Sequence, residues 1–118
     1  MKLLRAIGPF YVFSGIALGA VGAHLLKSRI APEALLIFEK GVFYQLLNGV
    51  ALTAMTQSTN SRIWPLTIIA VGVLVFSGSL YLNSAFGFDA RFAPSGGMLL
   101  MLGWLWLAVG RLKQEQGN

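Results

Sequence analysis

Four runs of about twenty mostly apolar residues, separated only by short polar breaks, dominate this chain. A helix needs about 20 such residues to cross the hydrocarbon of a bilayer. The breaks are too short to hold a soluble domain. Of the 118 residues, 56% are hydrophobic and 11% charged, and the charges cluster at the ends of the runs. The fold class that follows is an all-α polytopic membrane protein, with four transmembrane helices in a compact bundle. Strands are disfavoured, because lipid-exposed backbone must satisfy its own hydrogen bonds and these long, non-alternating runs cannot close into a barrel.

The expected spans are about 7–26, 34–55, 63–86 and 93–109, all within one domain covering 1–118. Lys27, Ser28, Arg29 and Pro32 break the first from the second. The tract from Thr56 to Arg62 ends the second, and Gly87, Asp89 and Arg91 form the next loop. Pro65 and Pro94 fall in the first turns of the last two spans, where a missing N–H costs little. Lys2 and Arg5 before an apolar stretch, with Val21, Gly22 and Ala23 resembling a cleavage site, outline a secretory signal. The stretch from Ile7 to Leu26 is long for a signal core, so it reads as a span.

The net charge of +5 would suggest nucleic acid in a soluble chain. Here the basic residues flank spans, where they set topology and meet lipid headgroups, and no nucleic-acid partner is expected. With both termini on one side, five basic residues (Lys2, Arg5, Arg62, Arg111, Lys113) face four (Lys27, Arg29, Lys40, Arg91). The positive-inside rule then puts both termini in the cytoplasm. There is no cysteine, hence no disulfide and no thiolate site.

Helical spacing sorts the less ordinary residues into faces. In the first span Phe13, Ala17, Ala20, His24 and Lys27 share one face, and Gly15, Gly19 and Gly22 lie roughly opposite. Gly15 and Gly19 form a small-xxx-small pair that lets another backbone approach. Gly41, Gln45, Asn48 and Leu52 line one face of the second span. The third carries Ser77, Gly78, Ser79, Tyr81 and Asn83; the fourth has Gly96, Gly103 and Gly110 at seven-residue intervals, the spacing of a tight seam. At about 1.5 Å per residue, Gln45 and Ser77 fall near the midplane, while His24, Glu39, Lys40, Ser79, Tyr81 and Asn83 fall in the non-cytoplasmic half. His24, Gln45, Asn48, Ser77, Ser79 and Tyr81 are therefore the candidate polar cluster.

Structural readings compete with functional ones at each position. Gln45 and Asn48 suit interhelical hydrogen bonds of ~0.6–2 kcal/mol each. Ser77 and Ser79 can bond to their own helix. Tyr81, Trp64, Trp104 and Trp106 suit interfacial belts or lipid-facing packing. Gly15, Gly19, Gly22, Gly41, Gly78, Gly96 and Gly103 read first as packing devices. Glu39 and Lys40, adjacent on a helix, diverge by ~100° and do not pair. No catalytic set stands: there is one histidine, a protein zinc site needs three or four ligands, and the stretch from Phe76 to Leu80 lacks the strand–turn–helix context of a nucleophile elbow. No metal and no cofactor is expected.

The stretch from Leu18 to His24, then Gly41 with Tyr44 and Gln45, Phe76 to Tyr81, Pro94 with Gly96 and Gly97, and Gly103 with Trp104, resembles the signatures of the domain of unknown function 423 family. These are small bacterial inner-membrane proteins, with animal relatives in the transmembrane protein 256 group. The resemblance implies a four-helix inner-membrane protein and brings no activity or cofactor. The chain departs from it at Asn48, where the family often has histidine, and at Ala93, where threonine is frequent. A mechanism resting on two histidines is thereby disfavoured.

Three functions fit these residues. The first is a structural or accessory protein working through helix contacts, surrounded by membrane lipid, as a homo-oligomer or in a larger membrane-protein complex. The alternative is a component of a small-solute or ion transporter or channel using the polar cluster. The remaining one, an enzyme acting on a lipid or quinone headgroup through His24 or Glu39, has the least support.

Overall fold

The computed structural model describes residues 2–57, 62–89, 91 and 93–117, of which 114–117 are described as backbone only. The described elements are helices: α1 (Lys2–Val21), prolonged by a π-helical turn (Gly22–Leu26), α2 (Pro32–Met55), α3 (Ile63–Phe86) and α4 (Ala93–Gly117). All four are long and apolar enough to cross a membrane.

Helix α3 occupies the expected 63–86. Helix α1 starts at Lys2, five residues before its expected span, so Pro9 lies inside it and the Arg5 carbonyl loses its intrahelical N–H partner. Helix α2 begins at Pro32, where the ring fixes φ and the absent N–H is one of the orphan donors of a helix start. Helix α4 continues past 109 to Gly117. The apolar run marks where lipid ends, whereas a helix can continue into water. Helix α3 stops at Gly87, whose φ of 74° is a left-handed conformation open to glycine; its N–H reaches the Asn83 carbonyl, and Phe88 N–H the Leu82 carbonyl.

Helices α2 and α3 pack against each other at the centre, with α1 along α2 and α4 along α3. Their interface is apolar towards the end that carries the termini: Leu52, Leu66, Ile69 and Val73 are almost fully buried, joined by Leu4, Ala70, Leu100 and Leu107. The outer surface is apolar too. Phe13, Leu36, Leu74, Phe86 and Met101 are each more than 60% exposed, as a lipid solvent requires.

Glycines set how close the helices come. A Cβ on Gly8 would meet the Thr53 backbone at 2.7 Å, and one on Gly49 would meet Tyr11 Cβ at 3.0 Å, so α1 and α2 nearly touch there. Gly15 faces Leu46, Gly19 faces Val42, Gly22 faces the Phe38 ring and Gly41 faces the Tyr81 ring. On α4, Gly96 lies against the Phe76 backbone and Gly103 against Ile69 and the Pro65 carbonyl. Gly78 differs from the packing role expected of it: nothing lies within 4 Å of its Cβ position, because it borders a groove between α1 and α3.

Candidate functional site

The polar side chains of the bundle centre on Gln45, which α2 presents towards both α1 and α3 and which is 6% exposed. Its Nε2 donates to the Tyr11 carbonyl at 3.0 Å and to Ser14 Oγ at 2.8 Å. A carbonyl can only accept, so the amide nitrogen must face α1. Oε1 therefore faces α3, where it accepts the Tyr81 hydroxyl at 2.6 Å. Ser77 Oγ donates to the Gly41 carbonyl at 2.8 Å, a second tie between α3 and α2. Tyr11 Oη donates to the Ala70 carbonyl at 2.7 Å, tying α1 to α3.

One turn along α2, Asn48 performs the same service for α4. Trp104 Nε1 donates to Asn48 Oδ1 at 2.9 Å, and Asn48 Nδ2 donates to the Tyr44 carbonyl at 2.8 Å. An indole N–H can only donate, which fixes the orientation of this amide as well. Side-chain hydrogen bonds thus join all four helices. Within the Tyr11, Ser14, Gln45, Ser77 and Tyr81 group every donor hydrogen is committed, Ser14 Oγ donating to the Phe10 carbonyl at 2.8 Å.

Gln45, Ser77 and Tyr81 of the expected cluster are brought together, and Asn48 pairs separately with Trp104. Two members do not join. His24 is exposed on the π-helical turn and makes no hydrogen bond among the described residues. Ser79 is half-buried and likewise has no partner among them. Both lie on helix faces turned away from the α2–α3 contact. Tyr81 and Trp104 do not behave as belt residues; each hydrogen-bonds an amide inside the bundle. Glu39 and Lys40 are both exposed, with no ion pair among the described residues. No group of three or more potential metal ligands forms among the described residues.

Sequence reasoning missed Tyr11 and Ser14. The available signal is that both flank the stripe Gly8, Gly15, Gly22 on α1, the face that meets α2. It also missed the gathering of arginines at the terminal end. Arg5 Nε donates to the Thr56 carbonyl at 3.3 Å, the Arg62 guanidinium lies across Gly110, and Arg111 Nη2 lies 3.7 Å from Met55 Sδ. Arg5 of α1 and Arg111 of α4 thus sit at the α2 C-terminus, where the helix dipole favours positive charge.

A family model described as Protein of unknown function (DUF423) matches residues 18–97. The chain is similar to a UPF0382 membrane protein of Staphylococcus saprophyticus, 32% identical over 96% of this chain and 99% of the relative. It is similar to a UPF0382 membrane protein of Haemophilus influenzae, at 34% over 95% of this chain and 93% of the relative. It is also similar to the UPF0382 inner membrane protein YgdD of Escherichia coli strain K12, at 31% over 98% and 92%. No solved structure matches.

Proposed function

This chain belongs to the DUF423 family of membrane proteins, whose description assigns no activity, and on that premise we propose a structural or accessory role in the bacterial inner membrane, exercised through helix contacts. Its neighbours are membrane lipid and either further copies of itself or a larger membrane-protein complex. Both termini lie in the cytoplasm, by the balance of basic residues. The inner-membrane location draws on the E. coli relative, which is named an inner membrane protein.

The observation that carries this reading is the use made of the central polar groups. Gln45, Ser77 and Tyr81 are consumed in bonds between helices. These bonds run across the bundle, from α1 through α2 to α3. A solute path would need polar groups arranged along the bundle and open to water, so the transport reading has less support. The reading also gives the chain no reaction of its own: the hydroxyls of Ser77 and Tyr81 donate to a carbonyl and an amide oxygen, not to a base.

Native mass spectrometry of the protein extracted gently from its own membrane tests the role. The expected result is a homo-oligomer or a stoichiometric foreign subunit. A strictly monomeric species, under conditions that keep other membrane complexes intact, would overturn it.

A further inference from the structure

Between α2 and α4, above α3, a groove of about 440 Å³ opens sideways towards lipid. That volume lies within the range typical of small-molecule sites, roughly 300–1,000 Å³. Its walls include the rings of Tyr44, Phe76 and Trp104, with Tyr44 and Phe76 meeting edge to face at 5.1 Å. Gly97 leaves one side open: a Cβ there would meet only Phe76 ring carbons, at 3.8 Å.

The hydrogen-bonding character of the groove comes from Asn48, which lines it and is 4% exposed. Its oxygen is held by the Trp104 N–H and one amide hydrogen by the Tyr44 carbonyl. The second amide hydrogen has no acceptor among the described residues, and neither does the Tyr44 hydroxyl. A nearly buried amide with an uncommitted N–H favours a ligand that accepts. The groove between α1 and α3 has the opposite character: all its donors are committed, and Tyr11, Ser77 and Tyr81 offer only lone pairs.

Depth narrows the acceptor. Asn48 lies within about 7 Å of the middle of α2, at about 1.5 Å per residue. Phospholipid ester carbonyls sit near the edge of the hydrocarbon, about 15 Å from the midplane. A carbonyl that reaches Asn48 must belong to a neutral molecule resident in the hydrocarbon. A flat ring suits the aromatic walls, which favour offset or edge-on contact. We propose that the α2–α4 groove binds the ring of a membrane quinone, with Asn48 Nδ2 and Tyr44 Oη as donors to its carbonyls. This goes beyond the contact role: the bundle can hold a quinone with or without a protein partner, and either claim can fail without the other.

The test uses the full chain in lipid nanodiscs, with Trp64→Phe and Trp106→Phe leaving Trp104 as the one indole. Bound benzoquinone rings quench indole emission on contact. Decyl-benzoquinone is expected to quench saturably. Gly97→Leu fills the groove without displacing backbone and is expected to weaken binding at least ~tenfold, about the value of one desolvated hydrogen bond. Gly78→Leu, which fills the other groove, is expected to leave it unchanged. Decylbenzene, which has the tail and ring but no carbonyl, is expected not to compete; this arm needs no groove variant and stands whether or not Gly97→Leu folds. Quenching that rises linearly without saturation, an unaltered affinity in a folded Gly97→Leu protein, or equal competition by decylbenzene would overturn the proposal. So would a nanodisc holding a dimer whose second copy seals the groove.

Discussion

Gln45 is where three helices converge, and its amide illustrates what a sequence does and does not reveal about a membrane interior. An amide within an apolar run must find a partner, because lipid offers none. That much predicts an interhelical bond from Gln45, and Ser77 and Tyr81 follow from their depth. Which atoms meet depends on the register between helices, and a single sequence does not carry register. The partners of Tyr11, Ser14 and Trp104 were illegible for this reason, and His24 drew attention by its chemistry although its face is turned outward. Gln45→Leu should lower stability by about 1–3 kcal/mol, since it leaves the Tyr81 hydroxyl without its acceptor. Tyr81→Phe should cost about 1 kcal/mol, and the double variant less than the sum, with a coupling of about 1 kcal/mol. Unfolding titrations in mixed micelles with rising SDS measure all three. Strict additivity would show that this hydrogen bond contributes nothing.

Among elements, the α3–α4 contact shows how glycine sets the distance between helices. A Cβ on Gly96 would fall 2.7 Å from Phe76 Cα, which is backbone and cannot step aside. Gly96→Ala is expected to force the helices apart and cost more than about 2 kcal/mol, in line with other overpacked contacts. Gly78→Ala meets open space and should gain about 0.5–1 kcal/mol from helix propensity. Thermal unfolding of the two variants side by side checks the sign of each; a stable Gly96→Ala protein would rule out the close crossing. The seven-residue interval of Gly96, Gly103 and Gly110 was legible as a seam. Its last member meets the Arg62 guanidinium in place of a helix backbone, and Gly78, in an equally glycine-like context, faces a groove. Composition indicates that a small residue is present, and the direction it faces depends on the rotation of the helix. Helices α1 and α4 run beyond their expected spans because hydropathy follows the lipid boundary, while a helix ends where its hydrogen bonding does.

Orientation belongs to the whole molecule, because it depends on the balance of basic residues across every loop and tail. The margin is narrow, five on the terminal side against four on the other, and one of the four, Arg91, already pairs with Asp89 at 3.0 Å. A fluorescent protein fused at the C-terminus, of a kind that matures only in the cytoplasm, is expected to be bright; a phosphatase active only outside the cytoplasm should be silent at the same position. Replacing Lys2 and Arg5 by glutamine leaves three basic residues against four and should invert at least part of the population, so that the phosphatase gains activity as fluorescence falls. Arg5 also donates to the Thr56 carbonyl at the α2 C-terminus, so its loss could act through folding. Arg5→Lys separates the two causes. It keeps the charge while removing the guanidinium Nε bond, and it should preserve orientation even if stability drops by a few tenths of a kcal/mol to about 1. If Arg5→Lys inverts the protein as readily as the double glutamine variant does, the arginine cap on α2 governs insertion and the charge balance does not.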